Sequence, residues 1–331
     1  MAWRSSESPR SVARWSIPSA PLIGLRMLQA LGGCAEMVIA RAIVRDKFAP
    51  RDAVRVFSGL VLVMGVAPIL APLTGGWLVG HHGWRAIFWA LAASAIAIFL
   101  VIAFFFRESL PPERRVKDSP AGIARVYGAL LRDVPFMAFA AVTGLVSAAL
   151  FVYVGGSPLV FMKIYGISET HFGWFFGANA AGLIGMSQVN GALVHRGYSP
   201  GKLLKIALVV STLSASAMLA VAVTGVGGFW ALYATIFTCL ACCGFIFPNA
   251  TALAMAPHGK RAGGASAMLG FVQFLLSGIG GFSVSEIGAT TPKPMAALMF
   301  AFTAAALLVS LLASRRVAGS IDAPGTPDFA H

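Results

Sequence analysis

Three polar side chains lie inside one apolar stretch, residues 26–46, and their types suit proton chemistry. Arg26, Gln29 and Glu36 share one face if the stretch is helical, because their spacing follows the helical period. Glu36 is the only one of the twelve acidic residues that lies deep inside an apolar run. Burial disfavours a charged carboxylate and a nearby cation favours it, so a carboxylate balanced between the two can take up and release a proton.

Two other interpretations of Glu36 stay open. It could form an ion pair with Arg26 or Arg41, although neither position is well placed for direct contact along one helix. It could also be tolerated without any role in a damaged gene. Ionisable groups at membrane depth are costly and usually functional, and we therefore expect Arg26, Gln29 and Glu36 to line a cavity and couple it to protons.

The composition places this stretch in a membrane protein. The chain is 58% hydrophobic and 11% charged, whereas soluble domains carry roughly 25% charged residues. Long apolar runs without alternation favour helices over a β-barrel. The net charge of +13 lies in short loops between the runs, which is typical of membrane topology and not of nucleic-acid binding. We expect an all-α membrane protein in a lipid bilayer, with no nucleic-acid partner.

Nine windows are long enough to cross a bilayer, which takes about 20 residues. They lie at 20–42, 56–80, 84–106, 135–159, 169–192, 203–224, 229–254, 264–286 and 294–314. If the first span exits into the cytoplasm, the inner loops hold eighteen basic residues and the outer loops hold three. This bias predicts a multi-pass membrane protein with a cytoplasmic C-terminus.

The same pattern divides the chain into five parts. Residues 1–18 match no pattern that we recognise, 19–106 form a partial N-terminal half with three spans, and 107–134 form a polar cytoplasmic linker. Residues 135–316 form a C-terminal half with six spans, and 317–331 form a disordered tail.

Four further polar groups lie inside later spans: Tyr153, Asn179, Asn249 and Gln273. Each could line a substrate pathway, and each could equally form a hydrogen bond between helices. Cys239, Cys242 and Cys243 have no second cysteine pair nearby, so we interpret them as small apolar packing groups and expect no metal site. No nucleotide-binding loop or hydrolase signature occurs, so we expect neither a cofactor nor an enzyme.

Two motifs resemble a known family. Arg26-x-x-Gln29-Ala30-x-Gly32 is similar to the fourth-helix motif of the major facilitator superfamily. The segment from Pro68 to Gly76 resembles the antiporter motif of the fifth helix, with Pro68, Pro72, Gly75 and Gly76 in place. Prolines bend a helix and glycines permit close helix contact. The basic exit of the first span, residues 41–46, narrows the resemblance to the bicyclomycin-resistance (Bcr/CflA) branch of drug–proton antiporters.

The resemblance implies a fold and a function. Family members have twelve helices in two halves, and this chain matches helices 4–12, without the first three. The implied activity is proton-driven efflux of small amphipathic drugs across the bacterial inner membrane by alternating access, with the halves rocking about a cavity at the midplane. A transport-inactive membrane remnant is the alternative, because part of the N-terminal half is missing.

Overall fold

The computed structural model describes residues 70–71, 74–105, 120–287 and 291–321 of the 331-residue chain. Arg26, Gln29, Glu36, Pro68 and Pro72 lie outside these residues, as do the first predicted span and most of the second. Residues 74–82 are helical and contain Gly75 and Gly76.

The regular elements of the described residues are all helices. They are α1 (Arg85–Phe105), α2 (Pro120–Arg132), α3 (Val134–Pro158), α4 (Glu169–His195), α5 (Pro200–Thr224), α6 (Gly228–Met255), α7 (Ala262–Ile287) and α8 (Lys293–Ile321). A π-helical turn, Leu159–Ile164, extends α3, and a 3-10 turn, Ala256–Arg261, joins α6 to α7. The predicted all-α membrane architecture is confirmed.

Local sequence explains where these helices begin and end. Asp133 precedes α3, and its Oδ1 accepts a hydrogen bond of 3.0 Å from the Phe136 backbone N–H. Ser168 occupies the same N-cap position before α4. Such caps satisfy backbone donors that have no partner inside the helix. Helix α5 ends at Gly225, whose φ of 74° suits a left-handed C-cap that glycine adopts without steric cost.

Six helical segments in the described part of the chain are long and apolar enough to cross a bilayer. They are Arg85–Phe105, Val134–Ile164, Pro200–Thr224, Gly228–His258, Gly263–Glu286 and Lys293–Ala313. Helix α4 has 27 residues, so it is long enough to span at about 1.5 Å per residue, but it is more polar than the others. The sequence analysis also places a span there, at 169–192.

Helix α3 packs most extensively on α7 and α8, and it also contacts α6. Helix α5 packs on α6 and α8, and α4 packs on α6. Two glycines let backbones approach closely. A Cβ added at Gly244 of α6 would lie 2.6 Å from the backbone nitrogen of Ser187 in α4, and one at Gly280 of α7 would lie 2.9 Å from Cα of Ala148 in α3. Close contacts of this kind are a main source of helix association in lipid.

We predict that Gly280→Ala destabilises the bundle, because the added methyl group must push α7 away from Ala148. Overpacking of this kind costs about 1–3 kcal/mol, which a lower melting temperature of the purified protein would report. Gly278→Ala is the matched control on the same helix, since a Cβ at Gly278 meets no described atom within 4 Å. Equal melting temperatures for the two variants would contradict the prediction.

Candidate functional site

The first buried polar contact joins α3 to α4. The Asn179 side chain donates a hydrogen bond of 2.8 Å from Nδ2 to the Tyr153 hydroxyl, and both residues are only 2% exposed. The Phe176 ring stacks on Tyr153 with 5.5 Å between ring centroids and an angle of 19° between the planes. The contact therefore fixes the height at which α4 meets α3 inside the bundle.

Hydrogen-bonding capacity remains beside this contact. The Oδ1 atom of Asn179 and the hydroxyl of Ser157 are buried and have no hydrogen-bond partner among the described residues. Ser157 follows Tyr153 by one helical turn. Buried polar groups without partners are costly, so this place inside the bundle suits a small hydrogen-bonding molecule such as water.

The second buried contact joins α4 to α6 through a reciprocal pair of amides. Asn249 Nδ2 donates to Asn190 Oδ1 at 2.6 Å, and Asn190 Nδ2 donates to Asn249 Oδ1 at 3.4 Å. The sequence analysis did not single out Asn190. The spacing along the sequence could have indicated this residue. Eleven residues, close to three helical turns, separate Asn179 from Asn190, so both lie on one face of α4.

Gln273 differs from the other three predicted pathway residues. It is half-buried on α7, between Phe271 and Phe274, which are 63% and 57% exposed. One turn later, the Ser277 hydroxyl lies 2.7 Å from both the Ser147 hydroxyl of α3 and the Gln273 carbonyl oxygen. Because a hydroxyl has a single proton to donate, it donates to one of these oxygens, and Ser147 can donate to it in turn. The structure thus places Tyr153, Asn179 and Asn249 in interhelical contacts and leaves Gln273 at a partly open surface.

An apolar groove of about 490 Å³ runs between α4 and α6. Its lining residues are Ala181, Gly182, Gly185, Met186, Val189, Phe237, Thr238 and Ala241. The Phe237 ring closes over Gly182, where an added Cβ would lie 2.7 Å from the ring. The groove is open on one side and is lined almost entirely by apolar groups, so it offers an apolar surface between the two helices.

Gly75 and Gly76 lie on the helical stretch before α1. A Cβ added at either would meet no described atom within 4 Å, so their expected role in close helix contact is not visible in the described part of the chain. Cys239, Cys242 and Cys243 lie buried in the apolar core of α6. Cys239 Sγ lies 3.4 Å from the Ser211 hydroxyl of α5.

A titratable contact that the sequence analysis missed lies where α3 begins and α6 ends. His258 Nε2 is 3.2 Å from Asp133 Oδ2, outside hydrogen-bond geometry. The imidazole ring meets the edge of Phe136 at 5.1 Å between centroids. His258 lies in the kink between α6 and α7, with φ of −108° and ψ of 24°, so only the tertiary fold brings it to Asp133.

Comparisons with known proteins agree with this architecture. An uncharacterized MFS-type transporter of Bacillus subtilis, YdgK, is 35% identical over 284 residues, which is 84% of this chain and 69% of the relative. A bicyclomycin resistance protein homolog of Haemophilus influenzae is 28% identical over 87% of this chain and 71% of the relative. The multidrug resistance protein MdtL of Escherichia coli is 26% identical over 92% of this chain and 73% of the relative.

A crystal structure of a bacterial homolog of the human lysosomal transporter Spinster, in an inward-facing and unoccupied conformation, shares the fold. The TM-score is 0.60 at 16% sequence identity, covering 86% of this chain and 76% of that one. The family model of the Major Facilitator Superfamily matches residues 11–284. The resemblance to that superfamily and its bicyclomycin-resistance branch is confirmed. The chain is a multi-pass membrane protein that belongs to the major facilitator superfamily of transporters.

Proposed function

We propose that the chain exports small amphipathic drugs across the bacterial inner membrane in exchange for protons, with its C-terminus in the cytoplasm. The relatives named for bicyclomycin resistance and multidrug resistance support a drug substrate. The excess of basic residues in alternate loops supports the orientation. The proposed activity is transport, without a catalysed reaction or a cofactor.

One observation carries the proposal more than any other. Helix α4 crosses the bundle yet is less apolar than its neighbours, and its Asn179 and Asn190 are buried in bonds to α3 and α6. Polar side chains at membrane depth are costly and usually mark a solute route or its support. We therefore place α4 at the border of the transport pathway.

Alternating access requires halves that move as rigid bodies. Within the described C-terminal half, Gly280 against Ala148 and Gly244 against Ser187 lock α3 to α7 and α4 to α6. Close-packed backbones resist deformation, which supports rocking of the predicted 135–316 half as a unit against the predicted 19–106 half.

The predicted pathway residues take two roles in this proposal. Gln273 contacts the drug, because its side chain is only half-buried and Phe274, the next residue of α7, is exposed. Tyr153, Asn179 and Asn249 position the helices that border the pathway, since their side chains are already buried in interhelical hydrogen bonds. The apolar groove between α4 and α6 adds a surface suited to the apolar part of an amphipathic drug.

Proton coupling falls to Arg26, Gln29 and Glu36 in the first predicted span. Each proton that crosses a potential of 100 mV supplies about 2.3 kcal/mol, and Glu36 is the acidic residue that the sequence places deepest in a span. Pro68, Pro72, Gly75 and Gly76 would shape the neighbouring helix as the antiporter motif.

Transport by the purified chain in liposomes tests the proposed function. We expect an imposed proton gradient to drive a fluorescent amphipathic cation toward the acidic side, and a protonophore to abolish the movement. Equal dye movement with and without the proton gradient would contradict antiport. Correct insertion with no dye movement would instead favour the alternative, a transport-inactive remnant.

A further inference from the structure

We propose that one end of the helical bundle binds the headgroups of anionic phospholipids. This surface, called the basic end, lies where α3 and α5 begin and where α4 and α6 end. Its exposed cations among the described side chains are Arg125, Arg132, Arg196, Lys202 and Lys205. The proposal concerns lipid binding and does not depend on the transported substrate.

Helix α2 has the pattern of buried and exposed residues expected of a helix that lies along a membrane surface. On one side Leu130 is fully buried, and Val126 and Tyr127 pack with it against α3 and α7. Arg125, Leu131 and Arg132 of the same helix are exposed, and Leu131 is 58% exposed. An exposed leucine beside arginines is typical of a helix in the interface, where the apolar group meets acyl chains and the cations meet headgroups.

The fold brings the other cations to the same end. Asp133 and His258 approach within 3.2 Å, so the start of α3 and the end of α6 are neighbours. Helix α4 runs antiparallel to α3, because only the segment 159–168 connects them, and α5 follows α4 after the short turn 196–199. Arg196, Lys202 and Lys205 therefore lie at the end where α2 packs.

Charge at this end is unbalanced. Asp133 is the one carboxylate among the described residues of the basic end, and its two oxygens already face the Phe136 N–H and His258. The described residues of the opposite end carry Lys163 and Lys293 together with Glu169 and Glu286. Clusters of four to eight cations next to a membrane attract anionic lipids, with a contribution of about 1 kcal/mol from each.

Anionic lipid is the occupant that fits both the exposed cations and the exposed leucine of this surface. A soluble anion such as inorganic phosphate would use the arginines but gains nothing from exposed Leu131. A headgroup with attached acyl chains uses both, because the cations and the leucine are exposed on the same short helix.

Native mass spectrometry of the full chain, titrated with phosphatidylglycerol and with phosphatidylcholine, tests the proposal. We expect preferential retention of phosphatidylglycerol by the wild type. The double variant Arg125→Gln/Arg132→Gln should bind it about 25-fold more weakly, at about fivefold for each arginine. Arg125→Lys/Arg132→Lys should keep most of the affinity, because the charges remain.

The matched control removes two charges from the other end. Lys163→Gln/Lys293→Gln should bind phosphatidylglycerol like the wild type, and equal losses in the two glutamine variants would overturn the proposal. Displacement of the lipid by inorganic phosphate would overturn it as well, since the surface would then be an anion site. A lowered melting temperature in either variant would identify a loss of lipid affinity that comes from misfolding. Because no transport is measured, failure here leaves the proposed drug efflux unaffected.

Discussion

Glu36→Gln is expected to abolish gradient-driven accumulation of drug in liposomes while the protein still inserts and binds the drug. Exchange of one proton per drug, driven by a pH gradient equivalent to about 100 mV, supplies about 2.3 kcal/mol, which corresponds to about a fiftyfold accumulation ratio. The glutamine retains hydrogen-bonding groups but cannot carry a charge, so this ratio should fall to unity. The steady-state dye ratio at a fixed gradient measures the effect.

Two further variants distinguish a loss of proton coupling from a nonspecific loss of transport activity. Glu36→Asp keeps a titratable carboxyl group and should retain part of the accumulation. Glu169→Gln removes a carboxylate from the exposed first turn of α4 and should leave the ratio unchanged. Full accumulation by Glu36→Gln would contradict a coupling role and favour the ion-pair interpretation or the absence of any role.

Asn249→Leu is expected to lower the stability of the bundle by about 1–3 kcal/mol, the cost of leaving a buried polar group without its partner. The affected group is the Asn190 amide, which exchanges two hydrogen bonds with Asn249. The amide would then face apolar side chains at membrane depth. Thermal unfolding of the purified wild type and variant measures this loss of stability.

A double-mutant cycle isolates the contribution of the pair. Asn190→Leu/Asn249→Leu removes both amides, so it should be more stable than either single variant. Gln188→Leu on the same helix is the control, because Gln188 is exposed. Additive losses in the double variant would show that the two amides act independently and would contradict the reciprocal pair.

Most of the helix boundaries were predictable because the bilayer imposes a length and a composition on each span. The prediction of 203–224 corresponds to Pro200–Thr224, and that of 135–159 corresponds to Val134–Pro158. Helix α2 was not predicted, since residues 107–134 read only as a polar linker. Its apolar positions, Val126 and Leu130, have a partner only once α3 and α7 are packed.

The candidate site was less predictable than the spans. Sequence left Tyr153, Asn179 and Asn249 as either pathway or interhelical residues, because a polar side chain within an apolar run satisfies both interpretations. In the structure the hydrogen-bonding groups of these three meet across helices, and their part in a pathway stays a prediction. The contact of His258 with Asp133 joins residues far apart in sequence, so no local pattern could have indicated it.

The sequence by itself determined the all-α membrane architecture, the family and the identity of the polar residues at membrane depth. These properties depend on local composition and spacing, because lipid selects each span almost independently of the others. Only the tertiary structure decided which polar groups pair, which glycines bring backbones together, and that Arg125, Leu131 and Arg132 stay exposed while Leu130 is buried. These properties depend on how helices dock, and docking is set by side-chain shape across elements that are distant in sequence.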